Sequence, residues 1–326
     1  MIRDCIAVVS HVLNQPVRTV FDRLRVEAPR DYDVRMILST DDPEAELAGL
    51  SESDVDRISV KQIFELPYPQ KCQLKDWEMA GNLDLVFLEF ARRHPEYDRF
   101  WFVEYDVFWQ GHWSVFFDHF HSSEADLLAA TIQRADEVPR RAHFDYPRLV
   151  VPEGMRWEQE NVIKAFLPLC RLTRQALNAL DRAYRAGLGG HYEINVPSVP
   201  AQHGLVLEDF GGNGKFVRPD NVDRFYFSRG STYGQLPGNF VFRPAPRVLP
   251  RQNTLWHPVK PEGVPVWHPL LLRGNIWKTY LEKFKPYIGR LIIWLWFAIR
   301  WRPLPTPTLG RRRTKPHSPP TRESSQ

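Results

Sequence analysis

The chain carries two acidic residues separated by one aromatic residue, Glu104-Tyr105-Asp106, directly after the apolar run Trp101-Phe102-Val103. If the chain stays extended there, the two carboxylates project to one side; if it turns, one carboxylate reaches a metal directly and the other through water. A hard divalent cation, Mn²⁺ or Mg²⁺, takes oxygen ligands and keeps positions open for phosphate oxygens, so it can neutralise a leaving diphosphate. The spacing therefore indicates a metal site, and a capped, solvated strand end is the alternative.

The setting separates these acids from a similar group, Asp54-Val55-Asp56, which lies in a polar stretch. Residues Arg99 to Glu104 predict a strand, and their bulky side chains fit a buried central strand. Ligand sites in open α/β sheets lie beyond the carboxyl ends of such strands. The acids at positions 104 and 106 therefore lie where a site is expected.

The start of the chain alternates strand and helix. Residues Cys5 to Val12 predict a buried strand, Pro16 to Glu27 a helix, and Val34 to Ser39 a second strand. This order favours parallel strands joined by a right-handed crossover, so the expected fold is α/β, a mostly parallel, Rossmann-like central sheet flanked by helices. Further predicted elements are a short strand at Ile58–Val60, a helix at Asn82–Arg93, a strand at Asp126–Ala130, a helix at Glu158–Arg185 interrupted at Pro168, and, between Pro197 and Pro250, long loops with short strands near Arg224–Ser228 and Asn239–Arg243.

The composition is that of a soluble globular protein, with 43% hydrophobic and 25% charged residues among 326. The net charge of +4 is uneven: residues from Lys283 to Gln326 include ten basic and one acidic residue, which leaves 33 basic and 38 acidic residues before them. A basic tail on a mildly acidic body does not indicate nucleic-acid binding by the folded part. Three distant cysteines without a Cys-x-x-Cys spacing, and no signal peptide, favour a reducing, cytoplasmic location.

The C-terminal part differs in composition from the rest. Leu291–Ile299 is a run of nine apolar residues between Arg290 and Arg300, whereas a membrane-spanning helix needs about 20. Central tryptophans and flanking arginines favour a helix that lies on an anionic membrane, at its inner face, and a helix docked on the domain is the alternative. The expected domains are a catalytic-type domain at 1–270, an aromatic helical extension at 271–302, and a disordered basic, proline-rich tail at 303–326.

Several familiar chemistries lack their motifs. The sequence contains no Gly-x-Ser-x-Gly for a serine nucleophile, and no Gly-x-Gly-x-x-Gly follows the first strand. The glycines from Gly211 to Lys215 lack the full spacing of a P-loop, and a flexible hairpin explains them better. These observations argue against a serine hydrolase and against a dinucleotide-binding site.

The central segment resembles a known family. The stretch Tyr97–Val107, followed by Gly111-His112-Trp113, is similar to bacterial and fungal glycosyltransferase-like proteins of the GT-A type, in which an aromatic strand ends in Glu-aromatic-Asp-Val. The resemblance covers roughly residues 5 to 260 and implies a GT-A-like fold that uses a nucleotide-sugar. It also departs from the family, because Glu104 stands where the usual Asp-x-Asp motif has its first Asp. Other pieces agree in order: Ala125-Asp126-Leu127-Leu128, Arg171-Leu172-Thr173 opening a helix, Gly190-His191-Tyr192-Glu193, and Trp256-His257-Pro258-Val259-Lys260.

The resemblance implies a role for each matching acid and base. Asp106 would be the principal acid facing the metal or the diphosphate, and Glu104 its partner, on the ribose or through water. His257 would complete the metal shell, with a simple turn before Pro258 as the alternative. Lys260 would meet phosphate oxygens as a point charge.

On the acceptor side, the resemblance implies a general base that takes the proton of the acceptor hydroxyl. Glu193 is the candidate for this role, and Asp209 competes with it. A helix cap or a surface acid is the alternative for Glu193. The acceptor itself would be a glycan or a lipid-linked sugar.

In a GT-A fold the end of the first strand holds the nucleotide base and ribose without glycines. Ser10 and His11 are placed for that contact, and Asp41 or Asp42, after the second strand, would touch uracil or ribose. The donor expected from this resemblance is a nucleotide-sugar, with Mn²⁺ or Mg²⁺ as the cation.

Three functions stay open at this point. The first is metal-assisted sugar transfer at the inner membrane surface. The second is a non-catalytic module that binds glycans or a membrane, which the glutamate in place of the first aspartate motivates. The third is a nucleotidyltransferase, but no Gly/Arg/Lys-rich triphosphate loop lies near residue 10.

Overall fold

The computed structural model describes residues 2–71, 81–137, 149–227, 240 and 252–260. These residues belong to the first of two compact units of the chain, Met1–Val266. The strands are β1 (Asp4–Ser10), β2 (Tyr32–Ser39), β3 (Val55–Ile58), β4 (Arg99–Glu104), β5 (Phe108–Gln110), β6 (Leu127–Arg134), β7 (Ile163–Thr173), β8 (Leu207–Asp209) and β9 (Thr254–Trp256). The helices are α1 (Gln15–Glu27), α2 (Val60–Phe64), α3 (Leu83–Arg93), α4 (Trp113–His121), α5 (Arg174–Arg185) and α6 (Tyr192–Gln202).

Seven strands form one mixed sheet in the order β3-β2-β1-β4-β7-β6-β8. The first four pair in parallel, β7 runs antiparallel to both β4 and β6, and β8 is parallel to β6. The expected α/β fold with a mostly parallel central sheet is confirmed. Since β4 lies at the centre of this sheet, its carboxyl end is flanked on both sides by other strands.

Apolar cores lie on both faces of the sheet. Alternate residues of β1 point to opposite faces, so Ala7 packs in the core with α3, α5 and α6, while Ile6 and Val8 pack in the core with α1 and α4. Burial on both faces explains why this strand is an unbroken apolar run rather than an alternating one.

The elements around the site begin and end close to the predicted positions. The side chain of Asn14 accepts from the Val17 amide at 3.0 Å and a proline occupies the first turn, so α1 begins at Gln15, one residue before the prediction. The predicted strand Arg99–Glu104 has the bounds of β4. Both elements are confirmed.

The predicted helix Glu158–Arg185 is wrong in its first half. Residues Ile163–Thr173 form β7, which is buried between β4 and β6, and the helix begins only after the cap residue Thr173. A continuous apolar run fits a fully buried strand as well as a buried helix, and burial between two neighbours decided the outcome. Pro168, which lacks an amide hydrogen, directly precedes Leu169, the first residue of β7 that pairs with β4.

Three smaller predictions also need correction. The short strand lies at Val55–Ile58 rather than Ile58–Val60, because the Ser59 hydroxyl accepts from the Gln62 amide and starts α2. The segment after Pro197 is not all loop, since α6 continues to Gln202 and β8 follows. Residues 224–227 form no strand in the described ranges.

The predicted strand Asn239–Arg243 lies outside the described residues except for Phe240, which forms an isolated bridge with His257. The aromatic helical extension at 271–302 and the tail at 303–326 also lie outside them. Within the described ranges, no helix has the length and apolar composition that crossing a membrane requires.

Candidate functional site

The end of β4 holds both acids on a fixed backbone. Glu104 is the last residue of the strand, and Asp106 lies in the turn that follows. The Tyr105 amide donates to the Val9 carbonyl at 3.1 Å, and the Val107 amide donates to the Glu104 carbonyl at 3.0 Å. The strand therefore stops in a turn that is tied to its neighbour β1.

A two-stranded ribbon brings a distant segment to this turn. Strand β5 pairs antiparallel with β9, and Phe108 lies opposite Trp256. The residue after β9 is His257, and the Val259 amide donates to the Asp106 carbonyl at 2.8 Å. The ribbon and this hydrogen bond place the end of the described chain beside the acids.

Glu104, Asp106 and His257 form a cluster whose ligand atoms lie within 4.8 Å of one another. Nε2 of His257 is 3.5 Å from Oδ1 of Asp106 and 3.9 Å from Oε2 of Glu104. The imidazole packs against the rings of Phe166 and Phe240, with centroid distances of 5.2 and 5.6 Å. All three residues predicted as metal ligands thus converge at the carboxyl edge of the parallel strands.

The donor atoms of this cluster fit a divalent cation. Adjacent ligands of an octahedral Mg²⁺ lie about 3 Å apart, and Nε2 of His257 lies 3.5 and 3.9 Å from the two carboxylate oxygens. Oδ1 of Asp106 is buried and accepts no ordinary hydrogen bond among the described residues. Two carboxylate oxygens and an imidazole nitrogen suit Mn²⁺, and the carboxylates suit Mg²⁺. These residues therefore offer three protein ligands and leave coordination positions for a substrate.

The two acids differ in their electrostatic setting. Burial, and then the nearby charge of Asp106, raise the pKa of Glu104 to about 7. Burial also acts to raise the pKa of Asp106, but His257 and Lys260 outweigh it and hold the pKa well below its ordinary value. Asp106 is therefore the ionised acid of the pair. Its side chain is nevertheless the more buried of the two, at 2% exposed against 24% for Glu104.

Lys260 contacts the same turn. Its Nζ lies 2.5 Å from Oδ2 of Asp106 and donates to the Tyr105 hydroxyl at 3.0 Å. Burial acts to lower the pKa of Lys260, but the Asp106 charge raises it above its ordinary value, so the ammonium keeps its proton. The lysine predicted to meet phosphate oxygens is thus an ion-pair partner of the central acid.

The predicted nucleotide contacts lie at the ends of β1 and β2. His11 is exposed and its ring meets Tyr105 edge-on at 5.5 Å. The Ser10 hydroxyl donates to the Val12 carbonyl at 2.5 Å, so it is occupied by a local turn. Asp41 lies two strand positions from β4, which corresponds to about 10 Å between strand axes. Its Oδ1 accepts from the Ser59 hydroxyl at 2.7 Å and from the Lys61 amide at 3.0 Å.

Glu193 lies in the first turn of α6 within a buried group of charges. Its Oε2 is 3.7 Å from Nζ of Lys164, which comes from β7, and 3.8 Å from Nδ1 of His191. The charges of Glu104 and Glu193 both raise the pKa of Tyr192, after burial itself. Val103 pairs with Leu169 in the antiparallel β4–β7 pair, so Lys164 and its partner Glu193 lie beyond the carboxyl end of β4.

Asp209 is built into a different network. Its Oδ1 accepts from the Tyr226 hydroxyl at 2.7 Å and the Gly211 amide at 3.1 Å, and its Oδ2 accepts from the Ile132 amide at 2.9 Å. Burial raises its pKa to about 7. Strand β8 is three positions from β4, about 14 Å between axes. The structure does not bring Asp209 into the cluster of Glu104.

Sequence reasoning missed two contributors. Lys164 was hidden because its segment was predicted as helix, and only the strand β7 carries it to the sheet edge. Tyr105 was noted as the aromatic spacer between the acids, yet its hydroxyl also accepts from Lys260. Recognising the buried strand would have revealed Lys164, whereas the contact of Tyr105 depends on residues far away along the chain.

Comparison with known proteins gives distant similarities. No protein-family model and no curated protein matches the sequence. One similar solved structure is a glycosyltransferase involved in the glycosylation of the major capsid of PBCV-1, with 8% identity and a TM-score of 0.28, covering 56% of this chain. The chain spans 65% of that protein, just under two thirds of its length. Another, described as a glucose-1-phosphate thymidylyltransferase from Bacillus anthracis in complex with sucrose, has 9% identity and a TM-score of 0.38, covering 64% of this chain and 87% of that chain.

Proposed function

We propose that this protein is a glycosyltransferase that moves a sugar from a nucleotide-sugar donor to a hydroxyl group of a glycan or lipid-linked acceptor. The observation that carries the proposal is the convergence of Glu104, Asp106 and His257 at the carboxyl edge of the parallel strands. A nucleoside diphosphate is the leaving group of such a transfer, and it needs positive charge at this place.

On the donor side, Asp106, Glu104 and His257 would hold Mn²⁺ or Mg²⁺, which when bound stabilises the charge on the leaving diphosphate. Lys260 adds a mobile point charge for phosphate oxygens. His11 is exposed beside Tyr105 and offers a ring edge to the nucleotide. Ser10 and Asp41 have a weaker claim to the nucleotide, because the hydroxyl of one and an oxygen of the other are already hydrogen-bonded locally.

On the acceptor side, Glu193 is the proposed base, and it takes the proton of the attacking hydroxyl as the new bond forms. Its Oε2 lies 3.7 Å from the ammonium of Lys164. Asp209 is the weaker candidate, because three donors already occupy its oxygens.

The domain boundaries proposed are those of the sequence: a transferase domain at 1–270, a helical extension at 271–302 and a basic tail at 303–326. The extension would hold the domain on the inner face of an anionic membrane. Deleting residues from 287 onward should release the protein from anionic vesicles and leave the melting temperature of the domain unchanged. Unfolding of the truncated protein would instead identify a docked helix.

A non-catalytic module that binds glycans is the second candidate. The observation that favours it is the ion pair of Lys260 with Asp106, because this pair neutralises the central acid without any metal. Such a module would show no donor hydrolysis and no response to nucleotides.

The test of the first candidate is the melting temperature with Mn²⁺ and a panel of nucleoside diphosphates. Ligands that bind the native state raise the melting temperature by mass action. At a hundredfold excess over Kd they add about 2.7 kcal/mol to the unfolding free energy. We expect a shift that needs both components and that disappears in Asp106→Ala. The absence of a shift with every nucleotide would favour the second candidate.

A further inference from the structure

Lys260 and His257 contact different carboxylate oxygens of Asp106, the central acid of the site. The ammonium of Lys260 is on Oδ2 of Asp106 at 2.5 Å, whereas His257 faces Oδ1. The same ammonium donates to the Tyr105 hydroxyl and lies 4.7 Å from the centroid of that ring. One buried carboxylate thus has one oxygen neutralised by the chain itself and the other directed to the candidate metal position.

We propose that Lys260 is an exchangeable internal cation, which leaves Asp106 when a divalent ion binds and then pairs with the diphosphate of the donor. The physical reason is charge. Two ionised carboxylates with one ammonium leave one negative charge, whereas a divalent ion added beside them leaves one excess positive charge, so the ammonium is then repelled by an ion a few ångströms away. A diphosphate brings new negative charge to which that ammonium can move.

The local geometry permits this movement without a change of fold. The side chain of Lys260 is 32% exposed, although the Asp106 side chain that it contacts is 2% exposed. Its four-carbon stem is flexible, and the ammonium is a compact charge that rehydrates readily. The Val259 amide stays bonded to the Asp106 carbonyl, so the backbone is anchored and only the side chain has to turn.

This inference rests on the proposed function for its second half, the diphosphate, but its first half concerns the metal alone. The first measurement is therefore MnCl₂ binding by calorimetry without nucleotide. Lys260→Met removes the competing charge and should tighten Mn²⁺ binding about tenfold. Tyr105→Phe keeps every charge but loosens the lysine by one hydrogen bond, and should tighten Mn²⁺ binding about two- to fivefold.

The second measurement is binding of UDP, GDP, ADP, CDP and TDP to the protein saturated with Mn²⁺. Lys260→Met should weaken the best of these by about tenfold or more, because a charged partner of the phosphate is gone. The matched control is Lys215→Met, which removes an exposed lysine paired with Glu137 and should change neither affinity.

Opposite effects of Lys260→Met on the two affinities support the exchange. If Lys260 were a fixed structural counter-ion, Tyr105→Phe would leave Mn²⁺ binding unchanged and Lys260→Met would not weaken nucleotide binding, and either result overturns the proposal. A third outcome is tighter Mn²⁺ binding in both Lys260→Met and Tyr105→Phe, with no nucleotide binding by the wild type. It would support the release of Lys260 from Asp106 and contradict the proposed function.

Discussion

Phe108 lies opposite Trp256 in the β5–β9 ribbon, and this pair joins the two parts of the candidate site. Asp106 precedes one partner by two residues, and His257 directly follows the other. Trp256 is 1% exposed, so the ribbon is anchored in the core rather than lying on the surface. The position of the imidazole therefore depends on packing far along the chain from the acids.

Trp256→Ala should destabilise the fold and weaken metal binding together. Removing a buried tryptophan costs about 3–5 kcal/mol of unfolding free energy, and here the lost anchor also frees His257. The matched control is Phe90→Ala, a buried residue of α3 in the opposite core. Phe90→Ala should lower the unfolding free energy, measured by urea denaturation, by a similar amount. Its Mn²⁺ affinity, measured well below the melting temperature, should stay at the wild-type value. Equal Mn²⁺ affinities in the two variants would show that the ribbon does not position the site.

The acids of the cluster should contribute unequally to metal binding. Asp106→Asn should weaken Mn²⁺ binding about a hundredfold or more, because Asp106 is the fully ionised carboxylate, and Glu104→Gln should have a smaller effect. Electron paramagnetic resonance of free Mn²⁺ measures both. Asp220→Asn, which removes an exposed acid paired with Arg218, is the control and should have no effect. A larger loss in Glu104→Gln than in Asp106→Asn would reverse this assignment.

Asp209 should make stability depend on pH. Its pKa is raised from 3.8 to about 7 by burial, so the folded protein keeps a proton that the unfolded chain has lost. This contribution is complete below about pH 4 and is lost as pH rises through about 7, with a slope of at most about 1.4 kcal/mol per pH unit. Asp209→Asn removes the slope at a fixed cost of about 1–3 kcal/mol, because its amide nitrogen cannot accept from the backbone.

Urea denaturation at pH 5, 6, 7 and 8 measures this effect. The unfolding free energy of the wild type minus that of Asp209→Asn should fall as pH rises from 5 to about 7 and should level off above pH 7. A difference that is constant over this range would mean that the carboxylate is ionised throughout.

Glu193→Gln should separate binding from transfer. If Glu193 is the base, the variant keeps the affinities for Mn²⁺ and nucleoside diphosphate and loses transfer by about 10²- to 10⁴-fold in kcat. Asp209→Asn is the comparison, because its stability cost should not bring a similar loss of kcat in folded protein. If transfer survives in Glu193→Gln, the general base is another group.

The sequence predicted the part of the site that is local in the chain. Glu104 and Asp106 follow a strand whose buried aromatic run is visible directly, and β4 has its predicted bounds. His257 was reached only through the resemblance to a family, because its place beside Asp106 comes from the pairing of β5 with β9. Neither of those three-residue strands has a periodic pattern long enough to recognise.

The main error has a single physical cause. Lys164 lies in an apolar run that length and composition assign equally well to a helix, and burial between two neighbouring strands decided for β7. The contact of Lys164 with Glu193 could not be foreseen once that strand was missed. Similarly, nothing in the local sequence showed that Asp209 would be enclosed by Tyr226 and two backbone amides.

The most direct test of the central claim is release of nucleoside diphosphate from a panel of nucleotide-sugars with Mn²⁺ or Mg²⁺, with wild type and Asp106→Ala compared at equal concentrations of folded protein. We expect release from at least one donor, dependent on the divalent ion and abolished in Asp106→Ala. No release from any donor, or equal release by the two proteins, would contradict the assignment of this site as the centre of a sugar transferase.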